Sequence, residues 1–192
     1  KADYSAEVST LASAGGDAVA VIGYLDQGGK GIIQGSLDSG AFDTFILSDG
    51  MIGDSLTDAF GKSLNKSFGS LPGSTGKGAG LFAKVAKAAG IDSSGPYTGE
   101  SYDAAALIVL AMQASGSADR GSIAKNVMAV ANGPGKKIYP GQLKKALDLL
   151  AKGKAIDYEG ATAVKFTKVG EHVGNFLEKE IKGGKFKTKK QR

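Results

Sequence analysis

A chain of 192 residues, 42% hydrophobic and 22% charged, has the composition of an ordinary globular protein and the length for one sizeable core or two small ones. It holds no cysteine, no tryptophan and one histidine, His172, which excludes disulfides, thiolate metal sites and imidazole clusters. The formal charge of +5 is gathered at one end: from Lys179 onward there are seven cations and one acid, and before it 17 cations and 18 acids. The body is near neutral. The basic end GGKFKTKKQR, residues 183–192, interleaves a single aromatic, Phe186, and offers no stacking platform for bases. It reads as a solvated, mobile tail, with no nucleic-acid partner expected.

No stretch approaches the ~20 apolar residues of a membrane-spanning helix. The start, KADYSAEVST, lacks the basic and apolar regions of a signal peptide. Tyr4, Val8 and Leu11 follow helical spacing and run straight into a strand, which reads as the middle of a fold.

The first half alternates helix and strand. Residues 5–14 read as a helix ended by Gly15 and Gly16, and AVAVIGY as a strand apolar on both faces. A helix carrying Ile32, Ile33 and Leu37 follows and stops at Gly40, and residues 44–49 form the next strand. SLTDAFGKSL is a short helix with Ser55 as N-cap and Asp58 in the capping-box position. A third strand, SFGSLP, ends at Pro72. This order with short joints predicts a doubly wound, Rossmann-like, mostly parallel sheet.

After the flexible joint GSTGKGAG the pattern turns helical, over 79–89, 101–115, 120–132 and 140–152. SYDAAALIVLAMQAS is apolar nearly all round, which predicts a central helix sandwiched between layers. The helix over 140–152 takes Pro140 in its first turn and presents Leu143, Leu147 and Leu150. TAVKFT and NFLEKEI read as strands. The expected organisation is an α/β segment over 1–70, a crossing with helices over 71–155, returning strands over 156–182, and the basic tail. Crossings between lobes are where hinges lie.

The glycines do not make a phosphate loop. Before Gly29-Lys30 and Gly76-Lys77 the first glycine of a Walker loop is replaced by Tyr24 and Leu71, and neither lysine is followed by Ser or Thr. GAGLFA fits a dinucleotide fingerprint formally, but Pro72 and a polar joint separate it from its strand. No nucleophile has a base placed beside it, so no enzyme, cofactor or metal is expected. What remains are polar and aromatic groups at strand ends, where open parallel sheets bind ligands: Tyr24 and Asp26 after the first strand, Ser48 and Asp49 after the second. A carboxylate beside an aromatic suits a cationic amine. Against this, Asp49 is equally suited to a turn with Gly50, and Tyr24 to packing on a helix.

DAVAVIGYLDQGGKGIIQGSLDSGAFDTFILSDGM, GPYTGESYDAAALIVLAMQASGS and VANGPGKKIYPGQLKKALDLLAKGKAIDYEGAT together resemble the C-terminal half of type I periplasmic solute-binding proteins, the group serving branched-chain amino acid ABC transporters. The resemblance spans about residues 4 to 180. It implies a type I clamshell whose two α/β lobes, joined by a three-stranded hinge, close on one small solute outside the cytoplasm and present it to a membrane permease. It further implies an amino acid or similar small amine or amide as ligand, with Tyr24 packing near it and Asp49 holding its ammonium. An aromatic ahead of the apolar helix matches Tyr97, with Glu100 and Tyr102 as neighbours able to take that place. A sensor with the same fold is the alternative role. The family's N-terminal half has no counterpart here, so the apolar helix lacks a sheet to cover it. The rest of the protein, or another copy of the chain, is the expected partner.

Overall fold

The computed structural model describes residues 3–192, which fall into two compact units, one comprising the chain up to Pro72 together with Phe176–Arg192, the other Gly73–Asn175. The chain passes between them at Pro72–Gly73 and at Asn175–Phe176.

The first unit begins with α1 (Ser5–Ala14), β1 (Val19–Val21), α2 (Lys30–Ser39), β2 (Phe45–Leu47), α3 (Asp54–Phe60) and β3 (Phe68–Pro72). The strands β1, β2 and β3 are parallel neighbours, as the alternating sequence requires. Gly40 ends α2 in the left-handed conformation (φ 67°) that a side chain resists. Gly53, not Ser55, caps α3, and no side chain supplies the capping bond; the helix starts two residues earlier than the capping-box pattern predicts.

The sheet is completed by β6 (Phe176–Ile181) and β7 (Phe186–Gln191), both antiparallel to their neighbours, in the order β1-β2-β3-β6-β7. This corrects the expectation for residues 183–192. The end of the chain is a sheet strand, because Phe186 packs against the core and β6 offers it a free edge.

Val19, Val21, Phe45, Leu47, Leu71 and Ile181 point to one face of the sheet and enclose a core with Ile33 of α2 and Leu56 of α3. The alternate positions are open: Ile22 is 87% exposed, Ile46 42%, Phe68 44% and Phe176 49%. Apolar residues do stand on both faces, but within this unit only one face is covered.

The second unit holds α4 (Lys77–Ala88), α5 (Thr98–Ser115), α6 (Arg120–Asn132), β4 (Lys136–Ile138), α7 (Leu143–Ala151) and β5 (Ile156–Tyr158), with β4 and β5 parallel. Neither strand is legible in the sequence, since KKI and IDY carry charged residues and lack the apolar runs that mark β1 and β2. TAVKFT is no strand. Val164 enters the core and Phe166 makes one isolated bridge to His172. Pro140 stands ahead of α7 and outside it, because Gly141 at φ 82° interrupts the helical path.

Helix α5 packs Leu107, Leu110 and Ala111 against α6, α7 and the small sheet. Ala104, Ala105, Ile108 and Val109 remain exposed on its other side. The expected sandwich is therefore one-sided within this unit.

Candidate ligand-binding site

Parallel pairing of β1 with β2, in the register Val21↔Leu47, brings the carboxyl ends of both strands side by side. The ladder continues past them. Ser48 N–H donates to the Val21 carbonyl at 3.1 Å, and the Ser48 hydroxyl accepts from Gly23 N–H at 3.2 Å and donates to Gly23 O at 3.3 Å. Tyr24 and Asp49, one residue further along each chain, are thereby held together.

After Tyr24 the backbone makes a wide turn over Leu25–Gly29, in which the Tyr24 carbonyl accepts from Gly29 N–H at 3.1 Å. Gly28 turns at φ 108°, and a Cβ on Gly29 would strike the Met51 side chain. Both glycines are needed for this turn to feed α2. After Ser48 the chain makes one tight 3₁₀ turn over Asp49–Met51.

The Tyr24 ring lies over the backbone of Gly50: a Cβ there would sit 2.8 Å from Tyr24 Cδ1 and 3.1 Å from Cε1. The ring is 61% exposed, so one face is free for a ligand. Asp49 is half-buried, and its Oδ1 accepts from Gly50 N–H at 2.8 Å. Among the described residues no lysine or arginine pairs with it; Lys30, at the start of α2, is bound to Asp26 at 2.9 Å. A half-buried carboxylate with one oxygen uncommitted, beside an exposed aromatic face, can take an ammonium with apolar contact. The turn with Gly50 does form, and it engages only one of the two oxygens.

The remaining expected site residues lie in the second unit. Tyr97 caps α5 in the left-handed region (φ 62°), with its carbonyl accepting from Ser101 N–H at 2.9 Å. Glu100 is half-buried in the first turn. Tyr102 is committed to packing: its ring meets Phe82 with centroids 5.3 Å apart, and its hydroxyl accepts from Gly141 N–H at 3.3 Å.

Sequence reasoning missed the best-satisfied polar group of this unit. The Asp103 carboxylate, 2% exposed, accepts from the Tyr158 hydroxyl and Ala161 N–H at 2.8 Å, and from the N–H and hydroxyl of Thr162 at 2.8 Å each. Burial and the Asp103 charge push the Tyr158 phenol far up, keeping it protonated as a donor. Gly160, at φ 59°, is required because a Cβ would collide with that carboxylate. An acid on the buried side of an otherwise apolar helix was the available signal.

Among the described residues no group of three or more His, Cys, Asp or Glu is placed to hold a metal, and no helix is long and apolar enough to cross a membrane.

No family model matches the chain. Over 95 residues, 49% of its length, it is 35% identical to the chemotactic signal transduction system substrate-binding protein BasB of Halobacterium salinarum, a match covering 23% of that protein. Among solved structures it is similar to a leucine binding protein, LivK, of Thermotoga maritima (TM-score 0.71, 18% identity, all of this chain and 49% of that one). A type 1 periplasmic binding protein of Bordetella pertussis matches with TM-score 0.69 and 20% identity, over 98% of this chain and 50% of the other. A branched chain amino acid ABC transporter protein of Thermus thermophilus, with bound valine, matches with TM-score 0.61 and 16% identity, over 99% and 49%. The chain thus spans about half the length of these structures, and over that span it has the fold of type I periplasmic binding proteins.

Proposed function

We propose that the chain belongs to an extracytoplasmic solute-binding component of an ABC transporter, taking an amino acid or a similar small amine or amide. The observation that carries this reading is the pair at the ends of β1 and β2, where Asp49 has an oxygen left over and no cation among the described residues, and Tyr24 has an exposed ring. The relatives support it: one is named a substrate-binding protein, one a leucine binding protein, and one holds valine. On this reading Asp49 pairs the ligand ammonium and Tyr24 covers its apolar part. Tyr97 and Glu100, at the start of α5, are further candidate ligand contacts, and Tyr102 is held by Phe82 and Gly141. The two units are the lobes, and the two chain crossings belong to the hinge. The ligated form is handed to a membrane permease.

Calorimetry against a panel of amino acids and amides, repeated with Asp49→Asn, tests the assignment. Removing one partner of a buried charge pair costs about 2–5 kcal/mol of binding. Amino-acid binding unchanged in Asp49→Asn overturns the role of Asp49. The name of the BasB relative favours a second reading, a ligand sensor in signal transduction. Loss of taxis with uptake intact in a deletion strain selects that reading.

A further inference from the structure

Between Phe176 and Arg192 there are seven cations and two acids, Glu178 and Glu180, while the rest of the chain carries 17 of each. The whole formal charge of +5 therefore sits on the β6–β7 hairpin, at the edge of the first unit's sheet.

The hairpin is fixed in place. Gly183 and Gly184, at φ 66° and 73°, form the two-residue turn, closed by Lys182 N–H donating to Lys185 O at 2.9 Å. Gly184 N–H donates to Asn65 Oδ1 at 3.0 Å, and Gly184 lies against the backbone of Gly61 and Lys62. Glu178 engages Lys189 at 3.3 Å and Arg192 at 2.7 Å, and Lys179 donates to Thr188 Oγ1 at 2.8 Å. That leaves Lys182, Lys185, Lys187 and Lys190, all exposed and without an acidic partner among the described residues, with Lys62 beside the turn. Phe186 is turned into the core, and the exposed Phe176 stands at the end of β6 away from the turn, so these four lysines present charge with no aromatic among them.

We propose that this lysine edge docks the protein on an anionic lipid surface. Protein interfaces are depleted of lysine and depend on aromatic or arginine anchors set in pockets; here Arg192 is bound to Glu178, and Phe176 stands at the end of β6 away from the turn, which leaves the lysines without such an anchor among them. A fluid layer of anionic headgroups needs no shape match and attracts each lysine separately. The proposal does not depend on which solute binds.

The test is flotation of the protein with phosphatidylcholine vesicles containing about 30% phosphatidylglycerol, against pure phosphatidylcholine. Binding is expected to the anionic vesicles alone and to fade as salt rises from about 0.02 M to about 0.5 M. Lys182→Gln, Lys185→Gln, Lys187→Gln and Lys190→Gln together should lower the partition coefficient about fivefold per lysine, and the four Glu replacements by more. If the Glu variant does not fold by circular dichroism, the Gln variant carries the comparison. Glu replacements at Lys84, Lys87, Lys152 and Lys154, exposed lysines of the second unit, change the net charge equally and should retain binding. Equal binding to both vesicles, or equal loss in the control variant, overturns the proposal. So does absence of vesicle binding, which leaves the lysines as guards against edge pairing, or retention on polyglutamate beads with none on vesicles, which points to an acidic protein.

Discussion

Asp103→Ala tests whether a buried carboxylate holds the second unit together. Four donors converge on it: the Tyr158 hydroxyl, the amides of Ala161 and Thr162, and the Thr162 hydroxyl. A buried group left without its partner costs about 1–3 kcal/mol, and four donors at the low end, allowing for water entering the gap, give about 4 kcal/mol. Asp103→Asn keeps one acceptor but turns an NH₂ toward a donor, so about 2–3 kcal/mol is expected. Tyr158→Phe removes a donor with its own desolvation and leaves Oδ1 bound to Ala161 N–H; about 1 kcal/mol is expected. Urea unfolding followed by circular dichroism gives this order, and hydrogen exchange at Ala161 and Thr162 localises it. A loss below about 1 kcal/mol in Asp103→Ala, with both amides still protected, refutes the reasoning.

Three other outcomes are expected. Gly50→Ala puts a Cβ against the Gly23 carbonyl and the Tyr24 ring, so ligand affinity should fall about tenfold or more by calorimetry, while the helices keep their dichroism. Arg192 and Lys189 hold the Glu178 carboxyl below the usual carboxylate range, so the stability it lends is present above that range and is lost as pH falls through it. Protection of the β7 amides, taken relative to the intrinsic exchange rate at each pH, should fall as the Glu178 carboxyl is protonated, and Glu178→Gln should abolish the dependence. The bare faces around Ile22, Ile46 and Phe68 and around Ile108 and Val109 should drive association, and a monodisperse 19.4 kDa species in light scattering would refute it.

Periodicity located α1 at 5–14 and α6 at 120–132, because a helical stripe and its end signals are local properties of the chain. Strands β1, β2 and β3 were legible from apolar runs bounded by glycine and proline, and with them the placing of Tyr24 and Asp49 at strand ends. Strands β4 and β5, KKI and IDY, carry charged residues and make no apolar run to read; they form where α6 and α7 bring Ile138 and Ile156 into one core. The lysine-rich end looked like solvated tail because its composition is polar, and only the open edge of β6 with the contact of Gly184 on Asn65 turns it into a strand.

The sequence by itself determined the order of elements through β3, the helices that follow, and which residues stand at the ends of β1 and β2, because these depend on neighbours a few positions apart. The tertiary structure alone decided that the Tyr24 ring lies on Gly50, with one Asp49 oxygen left over. It also decided that Asp103 closes on a loop more than 50 residues away. Those contacts join positions distant along the chain, and burial and the direction of each hydrogen bond there are set by packing that no local pattern encodes.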